Sequence, residues 1–371
     1  MTHSIKIESA ELRLVRLPLL TPFVISTGTM THKTFPVLIL RGEGIEGIAE
    51  GVMDPLPDYL EETIAGAVDF ISNALVPALV GKRLHGLEDL DPVLTPWRGN
   101  RMAKAVVEMA VWDLWAKSLD QPLAQTLGGT RDAVPVGVSL GIASLEETCA
   151  RIERALEDGY KRIKLKIAQG HDVALLEGVR SLFPGIPLTV DANTDYTLDD
   201  ADVLRRLDAF VLDYVEQPLA FDDIVDHAKL QRLMTTPICL DESIRTLKDT
   251  QFALDWDAAR VINIKVGRVG GFGPAQAIHD LCAEKGVPVW CGGMLESGVG
   301  RAHNIHLATM PNFTKPGDTS SASRYFAREI IHEPLEAEGG MMPVPAGPGC
   351  GVTLDYAYLD TVSEVIGTWR A

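Results

Sequence analysis

Residues 162–167 read RIKLKI. Lys164 and Lys166 alternate with Ile163, Leu165 and Ile167. In a strand, both ammonium groups would share one face and the aliphatic side chains would take the other. Two readings compete. Lysines blunt the exposed edge of a sheet, and this stretch can be such an edge. Alternatively, the pair points into an enclosed site, where neighbouring charges alter proton affinity. The surrounding sequence favours the second.

Short apolar runs rich in β-branched residues recur around this stretch. They are VPVGVSLG (134–141), IPLTVDAN (186–193), FVLDYVEQP (210–218), TPICLDES (236–243), RVINIKVG (260–267) and VPVWCGG (287–293). Helix-like segments lie between them. One opens with Ser144 and Glu147 at capping-box spacing, and another with Thr197 followed by acids. Strands alternating with helices imply parallel βα units. The beat is regular: Lys166 to Asp191, Asp191 to Glu216 and Glu216 to Asp241 are each 25 residues, Asp241 to Lys265 is 24, and Trp290 follows 25 later. A solenoid has a similar period, but the leucine signature is absent and the helical segments are too long for one. In an α/β barrel of the TIM type, strand C-termini converge on one face. The ladder therefore sets Lys164, Lys166, Asp191, Glu216, Asp241 and Lys265 around one mouth.

The chain of 371 residues has room for such a barrel plus a second domain. It is 46% hydrophobic and 23% charged, as globular proteins are. A net charge of −17 argues against nucleic acid or anionic membrane as a partner. No apolar run is long enough to span a bilayer. The first twenty residues alternate like a strand and carry acids where a signal peptide would be apolar. Five scattered cysteines without a CxxC pair argue for a reducing, cytoplasmic setting.

Three carboxylates on consecutive strand ends suit a hard cation such as Mg²⁺, with Mn²⁺ or another divalent ion able to substitute. Zn²⁺ would draw on His or Cys, which these rungs lack. Each acid alone could be an ordinary cap or surface charge, and Asp241 could merely cap the next helix. Lys166 and Lys265 occupy the second and sixth strands, on opposite sides of the barrel. A lysine near a cation or a second lysine loses proton affinity. Lys164 would thus help Lys166 act as a base and could hold an anionic substrate oxygen. Lys265 could also pair with Asp241. A cation on a substrate carboxylate, with a lysine on either face, suggests proton abstraction at the α-carbon.

The stretches KLKI, VDAN, VEQPL, LDES and INIKVGRVGG resemble the muconate-lactonizing subgroup of the enolase superfamily. The likeness covers nearly the whole chain. Residues 290–326 are similar to the o-succinylbenzoate synthases that also racemise N-acylamino acids. The resemblance implies a modified (β/α)7β barrel with an α+β capping domain. Its parts would be a cap at 1–128, the barrel with the catalytic residues at 129–325, and a tail at 326–371 that packs on the cap. A covering loop is expected around Phe23 to Thr31. The resemblance implies Lys166 and Lys265 as the acid/base pair and Asp191, Glu216 and Asp241 as metal ligands. Lys164, Ser139, Asn193, Gly293 and Met294 would line the substrate. That substrate would be a small carboxylate with a succinyl or acyl arm, and the assembly a homo-oligomer, either dimer or octamer. Dipeptide epimerases of the subgroup carry an Asp-x-Asp near the eighth strand, where this chain has only Asp318.

Other features point elsewhere or nowhere. GRVGGFG (267–273) lacks the spacing of a nucleotide loop, so no organic cofactor site is expected. Its turns would let Arg268 lie near Lys265 and tune it. Cys291 reads as a small wall residue, Trp112 and Trp115 as packing, and His303 and His306 as core or surface residues. A non-catalytic barrel kept for binding or scaffolding is the alternative of another class.

Overall fold

The computed structural model describes residues 3–25 and 28–371. The loop expected around Phe23 to Thr31 includes 26–27, which lie outside the described residues, as do the side chains of 22–29.

The N-terminal part is a cap built on the antiparallel strands Ser9–Ile25, Gly28–Gly42 and Ile45–Glu50. Helix Arg101–Ser118 packs on them. Ala103, Val106, Val107, Ala110, Val111 and Leu114 are all buried on this helix. A helix apolar nearly all round has packing partners on every side. Here the cap sheet lies on one side and the barrel on the other.

The barrel's seven parallel strands run Val138–Leu140, Ile163–Lys166, Leu188–Asp191, Val215–Glu216, Ile238–Leu240, Val261–Ile264 and Val289–Cys291. Each pairs with its neighbours in sequence order. Residues 313–317 close the ring: Phe313 bridges Val289, and Gly317 bridges Val136. Helices such as Leu145–Glu157, Val173–Leu182 and Phe272–Glu284 intervene, and the Ser144–Glu147 capping box forms as expected. The tail ends in strand Ser363–Arg370, antiparallel to Ser9–Ile25 in the cap sheet.

Strand Ile163–Lys166 sits between Val138–Leu140 and Leu188–Asp191, so it is not an edge. Ile163 and Leu165 are buried. Arg162, Lys164 and Lys166, of the opposite parity, extend into the ring. Below the mouth the interior is filled by Tyr214, Cys239, Val261 and Trp290. Arg162 and Lys164 lie over the Trp290 ring, 4.5 and 4.9 Å from its centre.

Candidate active site

The strand ends bring together the six ladder residues. Lys166 pairs with Asp191, and Asp191 with Glu216, in the parallel register. Asp241 and Lys265 directly follow their strands. All three carboxylates are buried. Lys166 Nζ donates to Asp191 Oδ2 at 2.6 Å and also bonds Asn193 Oδ1. Lys164 Nζ lies 3.1 Å from Glu216 Oε2, 3.3 Å from Asp191 Oδ2 and 2.8 Å from Asp318 Oδ2. Lys265 Nζ donates to the Tyr59 hydroxyl at 2.9 Å and is 2.8 Å from Asp241 Oδ2. Arg268 grips Asp241 Oδ1 and is fixed by the carbonyls of Ile244 and Asn263 at 2.9 and 2.8 Å.

Of the residues expected to line the substrate, Ser139 pairs in register with Lys164 on the first strand. Asn193 bridges Lys166 to Glu242. Gly293 and Met294 follow the seventh strand, where Met294 N donates to Glu296. Lys164 is engaged by three carboxylates, Asp191, Glu216 and Asp318.

The protein's own carboxylates raise the proton affinity of Lys164 and Lys265. Burial would lower the Lys164 pKa, but Asp318, Glu216 and Asp191 raise it above its ordinary value. Burial opposes Lys265 likewise, and Asp241 outweighs it upward while the Arg268 charge pulls the other way. Burial and the Asp191 charge push Glu216 up to about 8. Burial would raise Asp241, but Arg268 and Lys265 hold it well below the usual carboxylate range.

The donors facing the mouth are nearly all oxygens. Two buried acceptors, Asn263 Oδ1 and Glu242 Oε2, have no partner among the described residues. Asn263 is tied to Glu216, and Glu242 adjoins Asp241. An oxygen set with acceptors to spare fits a hard divalent cation.

Sequence reasoning missed Tyr59, Asn263, Glu242 and Arg162. Asn263 and Arg162 carried a signal, since each lies two residues before a ladder lysine on the same strand face. Tyr59 carried none: it comes from a cap segment with no periodicity. Cys291 is buried wall, Trp112 packs against Phe272, and His303 and His306 are buried.

Residues 9–128 match the N-terminal domain of the mandelate racemase/muconate lactonizing enzyme family, and residues 147–358 match the enolase C-terminal domain-like family. The chain belongs to this family of the enolase superfamily and is an enzyme, not a barrel kept for binding alone. It is 54% identical to an N-succinylamino acid racemase of Thermus thermophilus over 96% of this chain and 97% of that one. It is 49% identical to an o-succinylbenzoate synthase of Geobacillus stearothermophilus over 97% of each. A solved enolase-superfamily structure from Listeria innocua superposes with a TM-score of 0.95, at 41% identity over 98% of both chains. A divalent metal is the general expectation for such domains.

Proposed function

We propose that this enzyme is a Mg²⁺-dependent o-succinylbenzoate synthase that also racemises N-succinyl and other N-acylamino acids. It would catalyse syn dehydration of 2-succinyl-6-hydroxy-2,4-cyclohexadiene-1-carboxylate through an enediolate. The observation that carries this reading is the pair Lys166 and Lys265, on the second and sixth strands, flanking three buried carboxylates. Relatives bearing both names support the pairing of activities.

Asp191, Glu216 and Asp241 would hold the Mg²⁺, which when bound neutralises negative charge developing on the substrate carboxylate. Lys166 takes the α-proton and, in dehydration, returns it to the leaving hydroxyl on the same face. Lys265 stays charged opposite it, positioned by Asp241 and Tyr59. In racemisation one lysine removes the proton and the other delivers one to the opposite face. Arg268 keeps a fixed charge beside Lys265 that lowers its proton affinity. Ser139, Asn193, Gly293, Met294 and Lys164 would orient the substrate, with Lys164 supplying charge rather than basicity. Racemisation as the main role is the second reading, favoured by the 54% identity to a racemase.

We further propose the division into 1–128, 129–325 and 326–371, a homo-oligomer, and work in the cytoplasm, which five unpaired cysteines support. No helix among the described residues is long and apolar enough to cross a membrane. The test is α-proton exchange in D₂O, followed by NMR on both substrates, with and without chelator. Mg²⁺-dependent exchange is expected on both. Exchange that survives metal removal, or is absent from both, overturns the reading.

A further inference from the structure

Away from the mouth, where cap, barrel and tail meet, lies a second cluster of metal-ligand types. Asp113 is on the cap helix Arg101–Ser118, His303 on the barrel helix Gly298–Leu307 and Cys350 in the tail. One ligand atom from each lies within 4.8 Å of the others, and all three residues are fully buried. Neither ring nitrogen of His303 has a hydrogen-bond partner among the described residues. Its closest aromatic neighbour is Phe272, edge-on at 5.6 Å. A dry imidazole with both nitrogens unpaired is costly unless something ligates it.

The backbone of Cys350 is held on both sides, and its Sγ lies 4.0 Å from the Val352 carbonyl. Cys350 N donates to Asp113 Oδ1 at 2.6 Å, and its carbonyl bonds His306 Nε2 at 3.0 Å. His306 Nδ1 in turn accepts from Ala124 N, so that imidazole is satisfied and neutral. Gly349 precedes the cysteine at φ 65°, and a Cβ there would fall 2.2 Å from Asp113 Oδ1. The turn thus needs glycine to bring Cys350 against the carboxylate. Ile48 N and Lys117 Nζ, each at 2.8 Å, hold the other oxygen, Oδ2. Ligand carboxylates in metal sites carry such outer partners.

We infer that Asp113, His303 and Cys350 supply three protein ligands to a buried Zn²⁺ site, independent of the catalytic reading above. A thiolate, a neutral imidazole and a carboxylate suit Zn²⁺ and not the hard cation of the mouth. Binding releases the Cys350 thiol proton to water, and the thiolate and the Asp113 carboxylate together neutralise the ion. The ion joins the cap helix, the barrel helix and the tail.

The test strips the full-length chain with chelator and titrates Co²⁺. Thiolate ligation gives a near-ultraviolet charge-transfer band, whereas the mouth's oxygens give none. With excess Mg²⁺ present to fill the mouth, the band should saturate at one equivalent per chain in the wild type and vanish in Cys350→Ala. No band in the wild type, or one undiminished in Cys350→Ala, overturns the proposal. On the wild type alone, Zn²⁺ should slow alkylation of Cys350 selectively among the cysteines in mild denaturant. Equal alkylation with and without Zn²⁺ overturns it as well.

Discussion

Two of the regions that bury carboxylates answer the charge differently. At the barrel mouth, Asp191, Glu216 and Asp241 face the side-chain cations Lys164, Lys166, Lys265 and Arg268. At the joint between cap and barrel, Glu50 and Glu108 face backbone N–H groups. Glu50 accepts from Ser297 N and Gly300 N, both at 2.9 Å, at the start of helix Gly298–Leu307. Glu108 accepts from Phe272 N at 2.7 Å and Gly273 N at 2.8 Å, at the start of helix Phe272–Glu284. A backbone donor is fixed and neutral. A lysine can swing, exchange partners or give up its proton. The joint is therefore built to hold, and the mouth to react.

The largest effect expected is at the lysines. Lys166→Ala and Lys265→Ala should each abolish racemisation, a loss on the order of 10³-fold or more. Each should stop α-proton exchange from one enantiomer of an N-succinylamino acid while the other still exchanges. NMR in D₂O, one enantiomer at a time, reads this directly. If Lys166→Ala exchanges both enantiomers at wild-type rates, the mouth is no more reactive than the joint.

Next come the carboxylates. Asp191→Asn, Glu216→Gln and Asp241→Asn should each weaken Mg²⁺ binding and activity by about 10²-fold or more, leaving the fold intact. Calorimetric Mg²⁺ titration with a far-ultraviolet melt separates the two outcomes. Lys265→Arg sharpens the contrast within the mouth. Arginine keeps the charge but cannot serve as a base at neutral pH. Dehydration should survive it better than racemisation, measured as the ratio of the two kcat/KM values.

The mouth was more legible in the sequence than the joint. A spacing of 25 residues between Lys166, Asp191, Glu216 and Asp241 reports a repeated βα unit, and strand parity tells which side chains enter the ring. Both signals are local and periodic. Glu108 meets residues 272–273 across more than 160 positions, with no period to announce it. The turns of GRVGGFG announce Arg268 beside Lys265, but not the contact with Glu108. Gly271 adopts φ 117°, and a Cβ there would fall 2.2 Å from Glu108 Oε2. The loop's backbone donors serve a carboxyl of the same chain, which burial raises to about 7. Tyr59 escaped for the same reason, reaching Lys265 from a part of the cap without regular pattern.

Glu108→Ala tests the joint. It leaves two helix N–H groups unpaired in a dry contact, and should cost about 2–4 kcal/mol of stability. Activity per folded molecule should stay near wild type. Urea unfolding with activity measured before the transition checks both. Lost activity at unchanged stability would mean that this carboxylate acts on the chemistry after all.

The smallest effect separates the regions by pH. Burial raises Glu50 from an ordinary 4.5 to about 7, against the pull of its Ser297 bond. Between those values the folded protein holds a proton that the unfolded chain has released. Stability from this group is therefore fully present below about 4.5 and lost as pH rises through about 7. Glu50→Gln has no such proton. The stability of wild type minus that of Glu50→Gln should fall by about 1–3 kcal/mol between pH 4.5 and 8. The buried imidazoles of His227, His303 and His306, held near 4 by burial, drive stability the other way over part of this range. They are present in both proteins and cancel in the difference. Urea unfolding of the two at both pH values gives the number. A difference that does not change with pH would mean that Glu50 stays ionised, with the helix N-terminus carrying its charge, and the joint would then hold charge much as the mouth does.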